Sequence, residues 1–384
     1  MVKILIEGEA HLSIPNLPRY SRHTLICPKR ALPFGTLKKV WSPFGSLTAW
    51  QAKIRNYKLI HSFNKIVYTD IPWIATFEDD YSILYRNPKN DFEARVYEII
   101  NRRLSLDNCR KLIAISDYAK LRLTKRLQGS LEKAINKVEV IHPNFPVKVM
   151  QPKKYDNQKN IQIIFIGNHF ARKGGIVVLR LANKAHKMGL PITFHIVSRL
   201  KYGQGVPTDY PDSKRYEEDL KLLDLPNVIF HKTIPNTEVL ALLSQSHFQL
   251  MPTLHDTYGY SIIEGFSVAT PAITTNVCAL PEFVHPGQNG YLLELELSKI
   301  RHWKSWLYHA EELRSEEYWI SLNNAYNWLA EQALEILVEF IQRPDKQEHY
   351  QQLSAGALAQ ALNVHDSQKR NESFDELYSE LTKS

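Results

Sequence analysis

Residues 250–282, LMPTLHDTYGYSIIEGFSVATPAITTNVCALPE, constrain this chain more than any other stretch. Phe248 to Met251 is mostly apolar and predicts a buried strand, and a polar loop, His255 to Gly259, follows it. Ile262, Ile263, Phe266 and Val268 then recur at helical spacing. Thr270-Pro271 ends that helix, and Ala272 to Thr275 predicts the next strand. Strand, loop, helix, strand is the repeat of a parallel sheet, where ligands bind beyond the carboxyl ends of the strands. Asp256 lies in that loop, and Glu264 follows eight residues later, about one and a half turns into the helix. A helix N-terminus attracts anions through its free N–H groups and its dipole. Carboxylates beside a phosphate held there would accept hydrogen bonds from sugar hydroxyls. The stretch therefore suits a sugar attached to a phosphate. Either acid alone also reads as a helix cap or a surface side chain, so the weight rests on the whole pattern.

That pattern resembles the donor-site signature of the retaining glycosyltransferases of family 4 (glycosyl transferases group 1), which have the GT-B fold. Their signature is an acid, seven residues, a Glu, a helix, a Pro-led strand and a second Glu. Here the positions are Asp256, Glu264, Pro271 and Glu282. The family usually has Glu first, so Asp256 keeps the charge and shortens the reach by one methylene. The resemblance implies that Glu264 holds the ribose hydroxyls and Asp256 the transferred hexose, with Glu282 a further candidate. The turn Tyr258-Gly259-Tyr260-Ser261 would hold the diphosphate.

Upstream, the strand Ile161 to Ile166 leads into GNHFARKGG at 167–175 and then a helix through Ala185. Gly167, Gly174 and Gly175 bracket the basic pair Arg172-Lys173 at a helix start, a place suited to a diphosphate. The loop resembles the family's first donor-domain loop. Lys173-Gly174 fits its pattern, while Asn168 stands where an Arg is usual and Arg172 can supply the lost charge. Lys173, Asp256 and Glu78 are the catalytic candidates. Gly167, Arg172, Lys173, Tyr258, Gly259, Tyr260, Ser261, Glu264 and Glu282 are the donor-binding ones.

The first half predicts strands at 2–6, 25–27, 58–62, 71–77, 111–115 and 138–141. Only Gly8 follows the first strand, so a phosphate-cradling loop is not supported there. Ile71 to Phe77 resembles the family's strand that ends in Thr, an apolar residue and a His, with Glu78 in place of that His. A carboxylate can still accept a hydroxyl proton. Repulsion among Glu78, Asp79 and Asp80 should raise at least one proton affinity, and a solvated acidic turn is an equal alternative for Glu78. Ser116-Asp117 is a helix start. His142-Pro143-Asn144 resembles the family's interdomain crossing, and Phe145 to Asn160 reads as a linker. Further strands are expected at 192–197 and 227–230, and helices at 214–225 and 235–246. Residues 300–384 read as mostly helix, at 303–313, 318–341, 348–362 and 373–382.

These readings predict an α/β chain of two doubly wound, Rossmann-like domains facing a central cleft, with a helical C-terminal tail. The expected domains are an acceptor-side domain at 1–148 and a nucleotide-sugar domain at 149–364. The helix at about 365–384 is expected to pack back on the first domain.

The length, 384 residues, suits two domains. Cys27, Cys109 and Cys278 show no metal or redox spacing and read as small hydrophobes in a reducing, cytoplasmic compartment. The N-terminus has no signal-peptide pattern and no apolar run approaches a membrane span. Residues 1–60 hold ten Lys or Arg against Glu7 and Glu9, an excess of eight that equals the whole chain's net charge of +8. With Trp41 and Trp50 beside it, this field suits an anionic acceptor or peripheral contact with the inner face of an anionic membrane. Solubility alone also accounts for it.

The resulting expectation is a metal-independent, retaining hexosyltransferase in glycan biosynthesis, with no cofactor beyond its nucleotide-diphosphate sugar. Its acceptor would be a carbohydrate or a lipid-linked glycan. Asn168 and Glu78 keep open a non-catalytic sugar-nucleotide or glycan binding protein on a degenerate transferase fold. A nucleic-acid partner finds no basic-aromatic reading motif in its support.

Overall fold

A computed structural model of the chain describes residues 1–7, 16–27, 43, 56–156, 160–309 and 312–383. Gly8, Glu9, Lys29, Arg30, Lys38, Lys39, Lys53, Arg55, Trp41 and Trp50 lie outside these, so most of the basic N-terminal segment does too. The chain divides into two units, Met1–Pro146 with His365–Ser384, and Val147–Val364.

The first unit holds one six-stranded parallel sheet. Its strands are β1 (Lys3–Glu7), β2 (Thr24–Ile26), β3 (Leu59–Phe63), β4 (Trp73–Phe77), β5 (Cys109–Ala114) and β6 (Val138–Val140), in the order β2-β1-β3-β4-β5-β6. β3 and β4 are buried along their whole length, as strands covered on both faces must be. Helices α1 (Asp80–Ile83), α2 (Asp91–Arg102), α3 (Asp117–Leu127) and α4 (Glu132–Ile135) connect them. Asp79, Asn90 and Ser116 cap the first three through side-chain oxygens.

The second unit holds β7 (Ile161–Ile166), β8 (Ile192–Val197), β9 (Val228–His231), β10 (Phe248–Met251), β11 (Ala272–Thr275) and β12 (Gly290–Leu293). Their order is β12-β11-β10-β7-β8-β9, all parallel. Renumbered within the unit, this is the doubly wound order 3-2-1-4-5-6. The winding reverses between its first and fourth strands, here β7 and β10, the place where open α/β sheets bind ligands. The paired residues Phe248↔Ile163 and Gln249↔Ile164 set that junction. Ile164, Val197, Val239, Leu243 and Val268 pack one face of the sheet.

The unit's helices are α5 (Gly175–Lys187), α6 (Glu217–Leu220), α7 (Asn236–Gln245), α8 (Tyr260–Phe266), α9 (Lys304–Tyr308), α10 (Glu316–Gln342) and α11 (Lys346–Val364). The helix expected at 214–225 is one α-helical turn between two 3₁₀ turns, Ser213–Tyr216 and Lys221–Asp224. This broken form buries Tyr216 and aims Asp219 at Arg180, with a hydrogen bond of 2.7 Å. Of the helix expected at 303–313, the described residues form α-helix at Lys304–Tyr308.

The last helix, α12 (Ser367–Lys383), belongs to the first unit. Phe374, Leu377 and Tyr378 pack on Ile4, Ile6, Leu59, Ile74 and Ile113. The Tyr378 hydroxyl meets His61 Nδ1 at 2.7 Å, and Thr76 Oγ1 meets His61 Nε2 at 2.7 Å. Both ring nitrogens of a buried imidazole are thus satisfied, and burial pushes its pKa down to about 3.

Candidate functional site

Two loops leave the sheet at the β7–β10 junction. The first runs from Gly167 to Gly174. The Gly167 Cα lies so close to Lys173 that an added Cβ would sit 2.8 Å from the Lys173 Cβ. Gly174 has φ +90°, and a Cβ there would lie 2.1 Å from the Pro252 carbonyl oxygen. Glycine is required at Gly174 on both counts, and the result is direct backbone packing between the two loops. Hydrogen bonds from Leu254 N and Thr253 Oγ1 to the Arg172 carbonyl, 2.9 and 3.0 Å, join them further.

This packing brings Lys173 and Asp256 together although 83 residues separate them, and Lys173 Nζ donates to Asp256 Oδ2. The other carboxylate oxygen, Oδ1, accepts from the backbone N–H of Gly259 at 2.9 Å and of Tyr258 at 3.3 Å. Burial alone would raise the Asp256 pKa. The Lys173 and Arg172 charges overcome it and bring the group down to about 2. Glu264, on α8, accepts from Asn236 Nδ2 at 3.2 Å. Burial raises its proton affinity, while Asn236 and the nearby Lys173 charge oppose that. Lys173 thus stands within electrostatic reach of both acids.

Other expected site residues are placed differently. Arg172 is a loop clamp. Its Nη1 donates to the His255 carbonyl at 2.6 Å, and its Nη2 lies 3.1 Å from His169 Nδ1. Tyr258 is fully buried and stacks on Phe283 with centroids 5.1 Å apart, so the phenol is core. Gly259, at φ +89°, starts α8, and the Ser261 hydroxyl meets Met251 Sδ at 3.2 Å. The backbone N–H groups of Tyr258 and Gly259, expected to face a diphosphate, serve Asp256 instead. Tyr260 is half-buried with its ring beside Tyr258. Glu282 pairs with Arg301 at 2.7 Å.

In the first unit, Glu78 follows β4, and its backbone N–H donates to Asn64 Oδ1 at 3.0 Å. Its neighbours are structural. Asp79 caps α1, and Asp80 is buried against Arg86 and Arg122 at 2.9 and 2.7 Å. Asp79 has a raised proton affinity, the direction expected for this acidic run. Its main cause is burial, and the Asp80 charge is a smaller one.

The sequence reading passed over three groups near the β7–β10 junction. Lys201 pairs through its backbone with Asn168 and Phe170, and its charge reaches His169. His169 accepts from Arg172, and burial with three nearby cations lowers its pKa. Asp209 is buried and pushed up to about 8 by that burial, against a Gly203 N–H at 3.0 Å and the Arg172 charge. Lone side chains in an irregular loop carry no periodic signal, so only strand order could assemble them.

Residues 148–301 match the model of the family Glycosyl transferases group 1. Over those residues the chain is similar to the group 1 glycosyl transferases. The match ends at Arg301, which pairs with Glu282. A curated relative, an uncharacterized 41.2 kDa protein in the cps region of Klebsiella pneumoniae, is 24% identical over 139 residues. That alignment covers 36% of this chain and 34% of the relative, so the chain spans about a third of the relative it matches. Solved structures align across almost the whole chain. Anabaena HepE in complex with UDP and glucose has a TM-score of 0.59 at 14% identity, covering 99% of this chain and 100% of that one. A glycosyltransferase from Rickettsia africae has a TM-score of 0.60 at 13% identity, covering 100% and 98%. Sucrose-phosphate synthase of Thermosynechococcus elongatus has 0.57 at 17%, covering 99% and 88%. The fold is GT-B.

Proposed function

We propose that the protein transfers a hexose from a nucleoside diphosphate sugar to a hydroxyl acceptor, with retention of configuration and no metal in the transfer step. The observation that carries this reading is the Lys173–Asp256 ion pair at the winding reversal of the second sheet, with Glu264 within reach of the Lys173 charge. Negative charge grows on the leaving diphosphate as the glycosidic bond breaks, and a preplaced ammonium lowers that barrier. Lys173 is that ammonium. Its partner Asp256 then turns toward the hydroxyls of the hexose. Glu264, a half-buried carboxylate held by Asn236, gains further donors from the ribose. Arg172 and Gly174 hold the loops, and Glu78 works on the acceptor side. Uridine diphosphate is the proposed carrier, supported by HepE having been captured with UDP and with UDP-glucose.

The acceptor is a carbohydrate or a lipid-linked glycan in this reading. Among the described residues no helix is long and apolar enough to cross a membrane. Contact with an anionic bilayer, if the basic N-terminal segment makes one, is peripheral. It should appear as co-sedimentation with anionic vesicles that fades as salt rises, because screening is strong beyond roughly 10 Å at about 0.1 M. Neutralising Lys29, Arg30, Lys38 and Lys39 together should weaken it and leave donor affinity alone. Protein that stays in the supernatant at low salt ends the membrane reading.

Calorimetry against UDP and a panel of UDP-sugars, followed by a donor-hydrolysis assay, tests the main proposal. Saturable binding with slow hydrolysis is the expected result. Binding with no turnover on any donor or acceptor would favour a binding protein, and no binding would remove the nucleotide-sugar reading.

A further inference from the structure

Beyond the proposed donor site, three loops of the second unit converge on a different chemistry. His255 follows β10, Cys278 follows β11, and His302 precedes α9. One imidazole nitrogen from each histidine and the thiol sulfur all lie within 4.8 Å of one another. Cys278 and His302 are buried and His255 is half-buried. Trp306 packs on both histidines, with ring centroids 4.9 Å from His255 and 5.3 Å from His302.

The backbone is bent to make this meeting. Cys278 has φ +53° and Arg301, next to His302, has φ +56°. A side chain in the left-handed region carries a conformational cost, and such residues gather at functional sites. The two strained residues are tied together, since the Cys278 N–H donates to the Arg301 carbonyl at 2.8 Å.

We infer that His255, Cys278 and His302 bind one zinc ion, with water in the fourth position on the half-exposed side of His255. Imidazole nitrogen and thiolate sulfur are both donors that a borderline-soft, tetrahedral d¹⁰ ion takes. Ligand atoms around such an ion lie about 3.3–3.6 Å apart, given bonds of about 2.05 Å to nitrogen and 2.3 Å to sulfur. Modest side-chain rotation therefore closes the cluster on the ion. The thiol loses its proton to solvent as the metal binds. The ion braces the donor loop from behind, because the His255 carbonyl holds Arg172 and the next residue is Asp256. No step of sugar transfer passes through it, and the site stands whether or not the transfer reading does.

The test uses the full chain, stripped of metal with a chelator and titrated with Zn²⁺ alone and, in parallel, with Co²⁺. One equivalent should bind, and Co²⁺ should give a thiolate-to-metal charge-transfer band with tetrahedral d–d bands. At about a hundredfold excess over Kd, Zn²⁺ should raise the melting transition of the second unit by roughly 5 °C. Cys278→Gly should abolish the band and the shift, yet stay folded without metal, because glycine accepts φ +53° at no cost. His302→Gln should lose both as well, and Cys27→Ser should keep both. Absence of a thiolate band, or a band that survives in Cys278→Gly, overturns the assignment.

Discussion

The two parallel sheets of this protein are built alike and used differently. In the second sheet both loops at the winding reversal carry charge, and backbone packing at Gly174 forces Lys173 against Asp256. In the first sheet the winding reverses between β1 and β3, and its charged run, Glu78-Asp79-Asp80, follows β4 instead. Two of those three acids are taken up in capping α1 and in a buried pair with arginines. The same architecture thus gathers ionisable groups at the winding reversal in one unit, where we propose the donor binds, and takes them up in a cap and an internal ion pair in the other. A charged motif at a strand end is a functional signal when strand order puts it at the reversal. Elsewhere a cap or an internal ion pair competes for it.

The largest effect should come from the first unit. Asp80→Ala leaves Arg86 and Arg122 facing a buried vacancy, which should cost about 3–5 kcal/mol. Hydrogen exchange should accelerate across β4 and α3, while β7, β10 and UDP affinity stay unchanged. Loss of UDP affinity in that variant would break the contrast between the units.

In the second unit, Lys173→Ala keeps the Cβ that Gly167 packs against and removes the rest of the side chain with its ammonium. Turnover should fall roughly a hundredfold or more, about 2.7–4 kcal/mol, with the fold intact by circular dichroism. Near-normal turnover would remove Lys173 from the transfer step.

Acid should separate the units next. His61 and His365, both in the first unit, are buried, and each is held down to about 3 from an ordinary 6.5. A histidine kept neutral when folded takes its proton only in the unfolded chain. Stability is therefore lost as pH falls through about 6.5 toward 3, by on the order of 2 kcal/mol per histidine between pH 7 and 5. In the second unit Asp209 is raised to about 8, so the folded state holds the extra proton and gains stability as pH falls from about 8 toward 4. The partly buried His169, His195 and His349 there oppose that gain. Hydrogen exchange resolved by unit should show β3 and β4 weakening more than β7 and β8 between pH 7 and 5. Equal weakening would refute the assignment, and His61→Gln should flatten the first unit's response.

The smallest effect divides the two acids of the proposed donor site. Glu264→Ala should weaken free UDP roughly tenfold, about 1.4 kcal/mol. Asp256→Asn, which retains the acceptor for Tyr258 and Gly259, should spare free UDP and weaken the UDP-sugar. Calorimetry with both ligands checks this, and equal losses for free UDP would merge the roles.

Local pattern made much of this legible from sequence. Strands Ile161–Ile166, Ile192–Val197, Phe248–Met251 and Ala272–Thr275 stand where their apolar runs predict them, because strands buried on both faces must be continuously apolar. The broken 214–225 segment was not legible. Its geometry answers to Arg180 and to a buried Tyr216, both set by the tertiary fold.

The sequence by itself determined the α/β class, the two-unit rhythm and the presence of acids and cations in loops after strands. Hydrophobic period and turn chemistry are local, and a reader of the chain meets them in order. Tertiary structure decided which charges meet. It paired Lys173 with Asp256, turned Arg172 into a clamp, sank the Tyr258 ring into the core and gathered His255, Cys278 and His302 from three loops. Those outcomes depend on strand order and on close backbone approach at single glycines. A spacing along the chain does not encode a distance across a sheet.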